Sequence, residues 1–74
     1  MKEIESKDLI VGQEYYDSKN VENATLLRFV GFDKEVKSCD FEYVSGSKIY
    51  IEIDGVIPFD ISEKFYQPWQ KIII

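Results

Sequence analysis

Four carboxylates recur at every second position around one central turn, Asp40 and Glu42 before it and Glu52 and Asp54 after it. Residues two apart in an extended chain share a face, so each pair lines one side of a strand. Three kinds of chemistry use such a stripe: an acid–base pair, a hard-cation site, or a negative surface for a basic partner. A glycosidase-type pair needs its carboxylates across a substrate-sized cleft, and a chain of 74 residues has hardly the bulk to build one. Hard cations take about six to eight oxygens from a loop that wraps them, whereas a strand offers a flat row. Two readings remain, attraction for a basic protein surface and a plain solvated face partly neutralised by Arg28 and Lys48. The rest of the sequence agrees, because it contains no histidine and one cysteine, Cys39. That removes the commonest general base, the commonest zinc ligands and the Ser-His and Cys-His nucleophile systems. No enzyme, no metal and no cofactor are expected.

Net charge is −5, from fourteen acids against nine bases, and Arg28 is the single arginine. Nucleic acid repels such a surface, and base edges are read chiefly by arginine, so direct DNA or RNA binding is disfavoured. It would require Lys2, Lys7, Lys34, Lys37 or Lys71 to converge on one side. The residues Met1-Lys2-Glu3-Ile4-Glu5 are charged, which argues against a signal peptide. No apolar run approaches the ~20 residues of a membrane span. With one cysteine and so no internal disulfide, a cytoplasmic protein is expected.

Aromatic side chains form a second candidate surface. Tyr15, Tyr16, Tyr50, Tyr66 and Trp69 are more rings than a small core absorbs, and exposed Tyr and Trp dominate binding hot spots. Tyr50 stands within the acidic stripe and is the expected aromatic anchor. Adjacent Tyr15 and Tyr16 must point to opposite faces of a strand, and Trp69 after Pro68 is expected to pack over one end of the core. At the other extreme of polarity, Ile72, Ile73 and Ile74 form an apolar end that could self-associate by strand addition, giving a homodimer.

Short strands must position these groups. Ser6 to Gly12 reads as a short helical turn or extended lead-in, Gln13 to Tyr16 as a first strand, and Ala24 to Phe32 as a strand apolar on both faces. With Asp33 to Glu35 as a tight turn, Val36 to Val44 follows, and Cys39, Phe41 and Tyr43 face the core. Cys39 there should be a buried, inert thiol. That register sets Phe29 opposite Cys39, Leu27 opposite Phe41 and Arg28 opposite Asp40. If Ser45 to Ser47 is a three-residue hairpin loop, Lys48 to Asp54 pairs back. Tyr43, Phe41 and Cys39 then meet Ile49, Ile51 and Ile53, while Asp40 lies across from Glu52 and Glu42 across from Tyr50. Asp54-Gly55 begins the next turn, Pro58 marks an edge strand or bulge, Ile61 to Tyr66 reads as one helical turn capped by Asp60, and Trp69 to Ile74 as a closing strand.

The opening Leu9-x-x-Gly12-x-x-Tyr15, the central three-strand meander and the short turn before a closing strand resemble the SH3-like or Tudor-like small barrels, a pattern also common among small phage proteins. The resemblance implies a single all-β domain over residues 1–74. Its form would be a strongly bent antiparallel barrel of about five strands with one helical turn near the C-terminus. No functional residue is carried over from it. The expected function is a non-catalytic protein-binding module, one version being a phage-type inhibitor or accessory protein. Its acidic strand face of Asp40, Glu42, Tyr50, Glu52 and Asp54 would meet a basic partner; the alternative is an assembly protein that self-associates through its edge and C-terminal strands.

Overall fold

The computed structural model describes residues 1–68, and the expected closing strand Trp69 to Ile74 lies outside the described residues. Among the described residues six antiparallel strands form one sheet. They are β1 (Lys2–Glu5), β2 (Glu14–Tyr16), β3 (Leu26–Asp33), β4 (Ser38–Ser45), β5 (Ile57–Asp60) and β6 (Lys64–Gln67). The strand order is β1-β6-β2-β3-β4-β5, so β1 and β5 are its edges. The expected all-β architecture is present, with the meander formed by β3, β4 and β5.

Connectivity forces this sheet to curl. Three residues, Ile61 to Glu63, join β5 to β6, although four strand spacings separate those strands in the sheet order. Four spacings across a flat sheet are about 19 Å, whereas the link reaches at most about 14 Å. Curling brings Phe65 on β6 against Phe41 and Phe59, with ring centroids 4.6 and 5.3 Å away. Two irregularities in the β3/β4 ladder, at Leu26/Leu27 and Phe29/Gly31, supply bends of the kind β-bulges introduce. The core inside the curl consists of Ile4, Leu9, Tyr15, Leu27, Phe29, Cys39, Phe41, Ile57 and Phe65. Buried Tyr15 keeps its hydroxyl satisfied by accepting the Ile10 amide at 3.0 Å, while Tyr16 is half-buried.

Several sequence expectations are corrected. Lys2–Glu5, read only as a charged leader, is a strand, because its Ile4 enters the core opposite Phe65. Helical turns of 3₁₀ type occur at Ser6–Asp8, as expected near the start, and at Val21–Asn23. Over Ile61 to Tyr66 there is none: Asp60 caps a tight turn through Ser62 and Glu63, but the chain then extends as β6. The β3/β4 turn holds four residues, Lys34 to Lys37, because the Asp33 carboxylate gathers the Glu35 and Val36 amides at 3.0 and 3.4 Å. Lys37 closes that turn at φ 56°. The longer turn sets Phe32 opposite Cys39, and the irregularity at Phe29/Gly31 then moves the ladder by one residue, so that Phe29 faces Phe41, Leu27 faces Tyr43 and Arg28 faces Glu42.

The larger correction concerns the central hairpin. β4 pairs with β5, placing Cys39 opposite Phe59, Asp40 opposite Pro58 and Phe41 opposite Ile57. Residues Lys48 to Glu52 belong to no strand. The competing signal was Asp54-Gly55, which forms a two-residue turn with φ 54° and 82°. Both main-chain hydrogen bonds between Ile53 and Val56 close it, the geometry of a type I′ hairpin. Pro58 sits on the edge strand β5, one of the two settings, edge or bulge, that the sequence allowed it.

Candidate functional site

The acidic stripe expected on one sheet face is divided among three places. Glu42 lies on the outer face of β4, where Arg28 reaches it at 3.4 Å and Glu14 at 3.2 Å. These three residues are direct cross-strand neighbours, and as exposed pairs each bridge contributes about 0.2–1 kcal/mol. Glu52 and Tyr50 line a shallow depression of about 240 Å³ with Tyr43, Ile49 and Ile57. Asp40 and Asp54 share a third place, which is the largest of the three.

That third place is a groove of about 550 Å³ between the β3/β4 turn, strands β4 and β5, and the Asp54-Gly55 turn. Four carboxylates line it, Asp33, Asp40, Asp54 and Asp60, against one cation, Lys37. The apolar lining is Val36, Ile53, Val56, Pro58 and Phe59. Local bonds orient three of the carboxylates. Asp33 is held by the amides of its own turn, Asp40 accepts the Ser38 hydroxyl at 2.8 Å, and Asp60 accepts the Ser62 amide at 2.9 Å as well as its hydroxyl. Those Ser62 bonds favour the charged form and pull the Asp60 carboxyl below its ordinary range. Among the described residues no three acidic or thiol groups converge to hold a metal ion; the carboxylates are strung along the groove.

Tyr50 has a different setting from the expected free anchor. Its hydroxyl donates to Asp17, whose side chain is only 3% exposed. Asp17 also accepts the Thr25 amide at 2.7 Å and Lys48 Nζ at 3.5 Å. The Tyr50 ring packs edge-on against Phe59 with centroids 5.3 Å apart, and Lys48 Nζ lies 5.2 Å from the ring centre. Burial, then the bond to Asp17, raises the Tyr50 hydroxyl above its ordinary value. The interactions with Tyr50 and Asp17 likewise hold Lys48 in its charged form to higher pH. Gly46 completes this contact: a Cβ there would stand 2.9 Å from Thr25 Cα. Residues 46–53 thus form an arm clamped to the loop that carries Asp17 and Thr25.

Cys39 is fully buried, as expected, and desolvation pushes its thiol up to about 11. Sequence reasoning missed Asp33 and Asp60 as groove residues because both read as turn formers; their turns are what place them. Asp17 looked like one more polar residue of the loop after Tyr16, and nothing in its neighbours signalled burial. Ile72, Ile73, Ile74 and Trp69 lie outside the described residues. No helix among the described residues is long and apolar enough to cross a membrane.

The chain matches no protein-family model, no curated protein and no solved structure.

Proposed function

We propose that this chain is a non-catalytic, cytoplasmic binding module that takes a basic, partly apolar segment of a protein partner into the acidic groove. The observation that carries the reading is the composition of that groove, four carboxylates over an apolar lining with one lysine. Lysine or arginine side chains of the partner would meet Asp33, Asp40, Asp54 and Asp60, while intervening aliphatic residues cover Val36, Val56 and Phe59. Of the five positions expected from sequence, Asp40 and Asp54 keep their place in this reading. Glu42 is engaged by Arg28, Tyr50 serves the arm, and Glu52 lines the neighbouring depression. The meander and the three-residue link before β6 support an SH3-like small-barrel class. An inhibitor or accessory protein of phage type, seated on a basic host surface, is one form this activity would take.

A short synthetic peptide of alternating Arg and Val tests the reading by fluorescence anisotropy. Affinity should fall as salt screens the contacts, and the double variant Asp40→Asn, Asp54→Asn should bind about tenfold more weakly, a loss of about 1.4 kcal/mol. Both changes are near-isosteric, and Asn-Gly is a favoured type I′ pair, so the fold is retained. Equal binding by the double variant, or salt-independent binding, would overturn the groove as the site.

A further inference from the structure

The arm presents an apolar face to solvent: Ile49 is 94% exposed, Ile51 84% and Ile53 57%. Its backbone is equally unusual, since Lys48 to Glu52 make no main-chain hydrogen bond to any described residue. A type I′ turn should let the arm zip onto β5, and Pro58 explains why it stops. Ile53 and Val56 form a doubly bonded pair. In an antiparallel ladder bonded pairs alternate, so the next would join Ile51 to Pro58, which has no N–H to give. The arm is therefore held by side chains, through Tyr50 and Lys48 on Asp17. In an extended arm the same alternation would aim the N–H and C=O groups of Tyr50 and Glu52 away from β5.

We infer that two copies of this chain pair through their arms, antiparallel and centred on Ile51. The segment Lys48-Ile49-Tyr50-Ile51-Glu52-Ile53-Asp54 is complementary to its own reverse. Centred on Ile51, each Ile49 faces the partner's Ile53, Ile51 faces its own copy, and Lys48 of each chain stands beside the partner's Asp54. The backbone groups of Tyr50 and Glu52 become the bonded pair. Centring on Glu52 would set two carboxylates opposite each other, and centring on Tyr50 would set Ile53 against Ser47. Such an isologous contact satisfies both exposed edges at once. Because Ile53 and Asp54 also line the groove, the dimer and the groove share one turn.

Ile51→Cys tests the register. Directly opposed residues have Cα atoms about 4.5–5.5 Å apart, within disulfide reach, so this variant should cross-link fully under mild oxidation. Ile49→Cys should not, since it would lie about 13 Å from its own copy; buried Cys39 leaves the unmodified chain as the blank. In sedimentation equilibrium the unmodified protein should approach twice 8.7 kDa with rising concentration, and Ile51→Lys, which opposes two lysines, should remain a monomer with an unchanged circular-dichroism spectrum. A monomeric unmodified protein at millimolar concentration would overturn the inference. So would cross-linking by Ile49→Cys as efficient as by Ile51→Cys. Neither result decides peptide binding, which Asp40→Asn, in the groove but outside the paired segment, tests separately.

Discussion

Replacing Tyr50 by Phe removes one oxygen and leaves the ring on Phe59, so it isolates the bond that holds the arm. In the folded chain that hydroxyl is one of three donors to a carboxylate only 3% exposed, the others being the Thr25 amide and Lys48. A hydrogen bond to a charged group contributes about 1.5–3 kcal/mol. Tyr50 is itself only half-buried, so water can partly replace it, and about 1–2 kcal/mol is the appropriate figure for Tyr50→Phe. In a domain of this size 1 kcal/mol moves the midpoint by about 4–8 °C, which gives a fall in Tm of about 4–16 °C by circular dichroism. If the arm opens ahead of the sheet, part of the effect appears instead as faster amide exchange at Ile53 and Val56, whose mutual bonds close the neighbouring turn. Asp17→Asn should lower Tm as well, and in the double variant the two losses should not add, since both remove the same contact. An unchanged Tm together with unchanged exchange at Ile53 and Val56 would refute the clamp.

Two further outcomes follow from the same packing. Gly46→Ala should destabilise by about 1–3 kcal/mol, because its Cβ would lie 2.9 Å from the Thr25 backbone and the residue holds φ 139°; a variant as stable as the parent in urea titration would contradict that close approach. Cys39 should resist thiol reagents until the chain unfolds, and stability should fall at alkaline pH. A thiol raised to about 11 favours the folded state fully below its unfolded value near 8.5, and that contribution is lost as pH rises through the folded value. Tyr50 and Lys48 are also raised, so they push in the same direction, and Cys39→Ala should flatten the decline in Tm between about pH 8.5 and 11.

Local rules made much of this protein legible before any coordinates. Alternation along Cys39, Asp40, Phe41 and Glu42 identified the inward and outward faces in the middle of β4, since a strand turns its side chains over at every residue, but Tyr43, expected inward, is exposed and Ser38, expected outward, is buried. The missing N–H of Pro58 put β5 at an edge, and the burial of Cys39 followed from its neighbours. Asp40 and Asp54 were legible as acidic surface residues, and they do share a groove. Pairing was another matter. The alternation of Ile49, Ile51 and Ile53 is the pattern of a half-buried strand, and it names neither the strand that would cover it nor whether one does. Two turns competed for that segment, Ser45 to Ser47 and Asp54-Gly55, and the sheet selected the partner through contacts made far along the chain, Phe41 against Ile57 and Phe65 against both Phe41 and Phe59. Register depended on two local features, the turn that the Asp33 carboxylate organises and the irregularity at Phe29/Gly31. Asp17 became a buried acceptor only because the arm folded over it. Sequence alone determined which residues could face inward and where the chain could turn, because those are properties of single residues and their neighbours. Tertiary structure decided which strands met, and so which carboxylates share a groove and which isoleucines the fold leaves exposed, because those depend on how the sheet curls to bring distant parts of the chain together.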